Sequence, residues 1–307
     1  MPPPCMPSCP LPSARPWRAR ATLCLALLAG TAAMASEQPP AQALRSDSGR
    51  FVAANAEFTL VHEMGHLLIA ELDLPVLGRE EDAADQLGFI SLFLSYGRQR
   101  DADFYAKLLD IADYWRLEWQ REKPAEEEVY AWASHGLDAQ RFYNLACLIY
   151  GSDPDQLEWV PKVTGLPVER ALYCDQEYAQ VRKALAWVEQ QHGRAAGEPI
   201  HHRIQVIYEP PSLRLEDSQR LLEQIRRSGE VEAIAARASE TYRLPRDLVL
   251  RLSSCGAPDA WYSRTGGELV LCYERLTYFQ TLAAQLPRLR QPPLPALCQS
   301  CPGQHDD

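Results

Sequence analysis

A chain of 307 residues, 46% apolar and 23% charged, has enough hydrophobic material for a folded core, which excludes an intrinsically disordered protein. Its formal net charge is −10, from 41 acidic against 31 basic residues. That balance excludes nucleic acid and anionic membrane surfaces as partners, because affinity there rests on Lys and Arg neutralising phosphate.

The chain begins with a distinct segment. Arg15, Arg18 and Arg20 precede "ATLCLALLAGTAAMA", an apolar run that ends in small residues at Ala33 to Ala35. Basic flank, short apolar stretch and small-residue exit predict a signal peptide over residues 1–35, and hence a periplasmic or secreted bacterial protein. The run is shorter than the ~20 residues of a spanning helix, and no later segment is apolar for long enough. The remaining chain is therefore expected to have no stable membrane span. It keeps 28 basic against 41 acidic residues, a net charge near −13. It also keeps six cysteines, and an even number in an exported chain predicts disulfides. Pairing of sequence neighbours is expected: Cys147 with Cys174, Cys255 with Cys272, and Cys298 with Cys301, with a redox or metal CxxC as the less favoured reading of the last pair.

Residues 36–50 are small and polar and read as a loose leader. A helical pattern follows from Asn55 to Leu72, broken by Pro75 and Gly78. A second helix is predicted from Glu80 to about Tyr96, and a third across "ADFYAKLLDIADYWRLEWQREK". Further helices are expected at about 138–150, 154–164, 167–173 and 175–191, so residues 36–195 read as a helical domain. "HGRAAGEP" at 192–199 reads as a linker. Beyond it, "HRIQVIYE" has the β-branched content of a strand. Helices near 215–227 and 230–241 come next, then short strands in "DLVLRLSSC", "AWYS" and "ELVLCYE" and a last helix at 273–286. Residues 196–290 thus form a C-terminal α+β segment, and 291–307 a flexible tail. The expected fold class is α+β, a mostly helical core with a few short strands packed against it.

Chemistry concentrates in "FTLVHEMGHLLIAELDLPVLGREEDAADQLGF", residues 58–89. Residues four apart on a helix share a face, so His62 and His66 can converge on one metal ion. Glu63 lies beside them and can take a proton from a water on that metal. Zinc lowers the pKa of such a water toward neutrality, which supplies a nucleophile without strong base. A third ligand comes from the next helix, where Glu81 and Asp85 share a face. One can ligate, and the other can accept the spare N–H of a ligating histidine. The bland alternative is an ordinary amphipathic helix, followed by acids that the dipole favours at a helix N-terminus.

H-E-x-x-H followed by a second helix with E-x-x-x-D resembles the gluzincin metallopeptidases, and "EDAAD" is similar to their E-x-x-A-D form. That resemblance implies a zincin-like core, Glu81 as the third ligand and Asp85 as the group that orients His62 or His66. Glu80 is the register alternative to Glu81. "HEMGH", "GREEDAADQ", "HGLDAQRFYNLACLIYGSDP" and "LPVERALYCDQEY" together resemble the bacterial putative metallopeptidase family known as domain of unknown function 4344, over about residues 55–190. "RIQVIYEPP", "YRLPRDLVLRLSSCGAPDAWY" and "ELVLCYERL" resemble a part of that family that normally precedes the H-E-x-x-H helix. Here it follows, as a permuted order or a second partial copy, and its strands are expected to dock on the helical half.

A donor facing the metal is expected to stabilise the tetrahedral intermediate. His135, Arg141 and Tyr143 are the candidates, with His135 taken first. Arg141 also fits as an ion-pair partner and Tyr143 as a packed aromatic. His201 and His202 are expected in solvent, and Trp115, Trp119 and Trp132 in helix packing. The expectation is an exported Zn²⁺-dependent peptidase acting on a peptide or protein substrate. The alternatives are a non-catalytic, zinc-stabilised scaffold or binding protein and, less favoured, a metal-storage or sensing role.

Overall fold

From Phe51 to Ile69, nearly every residue of the first helix, α1 (Ser48–Glu71), is buried. A helix enclosed on all sides is one that other elements surround, and this one carries His62, Glu63 and His66 through the core. The computed structural model describes residues 48–97, 100–121 and 132–289. The expected signal peptide, most of the leader, the tail and Cys298 with Cys301 lie outside the described residues. α1 starts at Ser48, inside the stretch read as leader, because Phe51 and Val52 are buried in the hydrophobic core.

After a turn at 72–79 the chain returns as α2 (Glu80–Ser95), packed along α1. Two glycines set how close these helices come. A Cβ on Gly65 would lie 2.9 Å from the Ala84 Cα, and one on Gly88 would lie 3.0 Å from the His62 backbone nitrogen. Hydrogen in place of a side chain at both points lets α2 lie directly against the H-E-x-x-H turn. α3 (Ala102–Gln120) follows, its N-terminus capped by the Asp101 carboxylate, which accepts from the Phe104 N–H at 3.0 Å. α4 (Asp138–Gly151) packs on α3 and on α7 (Cys174–His192). Between them lie the short α5 (Val160–Thr164) and α6 (Val168–Ala171). The helix expected over 154–164 exists only as α5. Ahead of it, Asp153 accepts from the Gln156 N–H at 3.2 Å and holds a turn instead.

The second half runs β1 (Ile204–Tyr208), a 3-10 turn (Leu213–Ser218), α8 (Gln219–Ser228), α9 (Glu230–Thr241), β2 (Leu248–Ser253), β3 (Ala260–Ser263), β4 (Glu268–Cys272), α10 (Tyr273–Ala283) and α11 (Leu286–Leu289). The strands form one mixed sheet of order β1-β2-β4-β3. β1, β2 and β4 are parallel, with Val206 opposite Leu250 and Leu250 opposite Leu269. β3 pairs antiparallel with β4 at the edge. Leu248, Leu250 and Leu252 are buried and alternate with partly exposed Val249 and Arg251, the period-two pattern of a strand with one face on the core.

Phe58, Phe89 and Phe104 from the helical half share one hydrophobic cluster with Leu250, Leu271 and Phe279 from the other. The fold is α+β, with the sheet packed against the helices. Polar ties reinforce that contact. Arg246 donates to both oxygens of Glu71, at 2.9 and 2.7 Å, and the Tyr262 hydroxyl donates to Glu71 Oε1 at 2.6 Å. The last residue of α1 is thereby fastened to the sheet. Nearer its start, Glu57 accepts from Lys107 Nζ at 2.5 Å, and Glu230 of α9 lies 3.6 Å from the same nitrogen.

Two of the expected disulfides are present, Cys147–Cys174 joining α4 to α7 and Cys255–Cys272 joining the segment after β2 to the end of β4. Among the described residues, no helix is long and apolar enough to cross a membrane.

Candidate metal centre

His62 and His66 lie one turn apart on α1, and Glu81 reaches them from the first turn of α2. The Glu81 Oε2 atom is 3.4 Å from His62 Nε2 and 3.3 Å from His66 Nε2. Two ligand atoms on a tetrahedral ion with bonds of about 2.0–2.1 Å sit about 3.3–3.4 Å apart, so these separations fit a shared zinc-sized ion.

The far side of each ring is also occupied. His62 Nδ1 lies 2.8 Å from Asp85 Oδ1, and His66 Nδ1 lies 2.7 Å from Glu80 Oε1. A carboxylate on Nδ1 holds the proton there and leaves Nε2 as the free donor. Once metal displaces a proton from Nε2, both rings would present a lone pair toward the point that Glu81 Oε2 also faces. That donor set, two oriented imidazoles and one carboxylate, suits a divalent cation of zinc's kind.

Asp85 is held in turn by Arg141 of α4, whose Nε and Nη2 donate to its two oxygens at 2.8 and 2.6 Å. The guanidinium carbon lies 3.5 Å from the Trp115 ring centroid. Of the two roles open to Arg141, the geometry is that of the buried ion-pair partner. Tyr143 packs against Phe142 and Trp119, with ring centroids 5.0 and 6.1 Å away. His135 does reach the centre. It sits just ahead of α4, and its Nε2 is 2.9 Å from Glu81 Oε2. Donor atoms of His62, Glu81 and His135 all lie within 4.8 Å of one another. His201 is exposed, and His202 lies 3.5 Å from Asp247, within the second half of the chain. Trp115 is buried as expected, whereas Trp132 is 80% exposed and lies outside any helix.

Electrostatics follow from this crowding. Burial disfavours the Glu81 carboxylate, but hydrogen bonds from His135, His62 and His66 outweigh it and hold the group far below the usual carboxylate range. Burial likewise opposes a charged His66, yet the bonds to Glu81 and Glu80 raise its pKa to about 9. His62 is raised in the same way, chiefly by Asp85 and Glu81 working against burial. For Asp85, burial is overcome by Arg141 and His62, and the net shift is downward.

Glu63 differs from its neighbours. It is buried, its Oε1 lies 4.0 Å from His62 Nε2, and burial raises its pKa even though His62, His66 and Arg275 pull the other way. A carboxylate moved toward neutrality is suited to accept and return a proton.

Two features escaped the sequence reading, and a third was read only in general terms. Glu80 serves His66 through Nδ1, although it was read only as a substitute for Glu81. Arg141, read as an ion-pair partner, clamps Asp85, a partner the sequence did not name. Arg275, from α10, adds a positive field at Glu63, so the C-terminal segment acts on the centre. The "EE" pair was the one visible signal. The two arginines depend on tertiary packing that no local spacing announces.

A family model described as "DUF4344: Putative metallopeptidase" matches residues 15–189 and 208–291. No curated protein and no solved structure matches the chain.

Proposed function

The chain belongs to that family, DUF4344, and from this premise we propose that it is an exported zinc-dependent peptidase that cleaves peptide bonds in a peptide or protein substrate. One observation carries the reading: two imidazoles, each fixed by a carboxylate on Nδ1, aim Nε2 at a single oxygen of Glu81 at tetrahedral separations. His62, His66 and Glu81 would hold the ion. Bound there, zinc would lower the pKa of a coordinated water and polarise the scissile carbonyl.

The protein's own groups do the rest. Glu63 takes the proton of the attacking water and delivers it to the departing amine, a task its raised pKa favours. Asp85 and Glu80 keep the imidazoles in one tautomer, and Arg141 keeps Asp85 ionised and aimed. Two disulfides support an extracytoplasmic site of action.

Glu63→Gln tests the assignment. It should abolish hydrolysis of a broad peptide library while metal content, read by elemental analysis, stays that of the wild type. Retained turnover would refute the mechanism. A second reading, a zinc-stabilised scaffold without turnover, draws support from His135, because four protein donors around one ion resemble a structural site. Chelator-sensitive hydrolysis by the wild type separates the two.

A further inference from the structure

We propose that His135 is a fourth, yielding ligand of the metal, which caps the centre at rest and is displaced when substrate or another donor arrives. The inference rests on the metal site proposed above and adds to it a residue from outside the two metal-bearing helices.

Three imidazole Nε2 atoms surround one oxygen of Glu81, at 2.9 Å for His135, 3.3 Å for His66 and 3.4 Å for His62. His62, His135 and Glu81 form one mutually close donor set, and His66 joins it through the same Glu81 oxygen, which brings the available donors to the four that a tetrahedral ion takes. An ion placed among them would open the His135 contact by about 0.4 Å toward the tetrahedral edge, a shift that a residue outside regular structure can make. His135 also belongs to the set of donor atoms lying within 4.8 Å of each other, together with His62 and Glu81.

The three rings are not held alike. His62 and His66 are anchored in a buried helix, and each has a carboxylate on Nδ1. The His135 side chain is 53% exposed, lies outside any helix, and has on its Nδ1 the Ser134 hydroxyl at 3.4 Å. A ligating histidine without a carboxylate on Nδ1 is less firmly oriented, so it is the first to leave. Displacement would leave its imidazole on the rim, where it can donate to a substrate oxygen. The donor role expected from the sequence and the capping role are then two positions of one side chain.

Cobalt(II) provides the test, because its visible spectrum reports the ligands directly and needs no substrate. Wild-type protein, His135→Gly and His62→Ala are stripped of metal and titrated with Co²⁺, then with imidazole. The expected result is that His135→Gly binds Co²⁺ at least ~10-fold more weakly than wild type, as even an outer partner of a ligand is worth ~10–100-fold. Its altered spectrum should return to that of the wild type as imidazole fills the gap, at concentrations that leave the wild type unchanged. A His135→Gly protein with wild-type affinity and spectrum overturns the capping role and leaves the His62, His66 and Glu81 site standing. A wild-type chain that takes up no Co²⁺, or a His62→Ala protein that binds it equally well, overturns the metal site itself and this inference with it.

Discussion

Substituting Gly88 with Ala tests how the centre is assembled without replacing any residue that would hold metal. The new Cβ would sit 3.0 Å from His62 N, 3.1 Å from His62 Cα and 3.1 Å from Val61 C, all of them backbone atoms that cannot rotate away. Ordinary carbon contacts lie at about 3.5–4.0 Å, so α2 must retreat from α1 by roughly 0.5 Å. Overpacking of this kind costs about 1–3 kcal/mol. Alanine's better helix propensity returns about 1 kcal/mol. The balance is a loss of about 1 kcal/mol, or roughly 2–4 °C in Tm for a domain of this size. The larger effect falls on the centre, since ~0.5 Å is about the tolerance within which a site must be held. Metal affinity should drop about tenfold, read by competition with a chromophoric chelator, while thermal denaturation reads the stability. Gly78→Ala is the control. Nothing lies within 4 Å of a Cβ there, so its effect should be neutral or slightly stabilising. If Gly88→Ala matches wild type in both Tm and metal affinity, close approach of the two helices is not what positions Glu81 and Asp85.

Arg141→Ala leaves the Asp85 carboxylate in place with its double hydrogen bond gone. Losing one member of a buried pair costs about 3–5 kcal/mol by urea denaturation, and metal affinity should fall ~10–100-fold. Unchanged affinity would mean that Asp85 orients His62 unaided. A pH dependence follows from His66, whose pKa near 9 keeps the imidazole protonated at neutral pH until metal displaces the proton. Apparent affinity should therefore climb about tenfold per pH unit between pH 6.5 and 8.5 for each proton released, with calorimetric enthalpies that vary with the buffer. A flat profile would count against it. Removing the Cys147–Cys174 bond by a double Ala substitution should cost roughly 3–4 kcal/mol, from the entropy of a 27-residue loop, and equal denaturation midpoints would contradict this.

How much could be read in advance depended on how local each feature is. His62, Glu63 and His66 were legible because helical periodicity alone puts them on adjoining faces. Glu81 and Asp85 were legible because the same period repeats after an obvious break. Glu80 and Glu81 could not be ranked, since adjacent helix positions point about 100° apart and only the crossing of α1 and α2 decides which nitrogen each one meets. His135 and Arg141 are brought in by the placement of α4 against α3 and α7, a matter of shape between distant segments. The early start of α1 was hidden for a similar reason. Ser48 to Ala54 is weak as an isolated helix and becomes one because Phe51 and Val52 have a core to enter.

The fastening of α1 by the second half of the chain bears on when the centre can exist. His62 and His66 leave the ribosome well before Arg246, Tyr262 and α10, which cover and tie their helix. A nascent or truncated chain thus holds the H-E-x-x-H sequence without the walls that shape it. The centre can therefore take its final shape only after those later segments have been made.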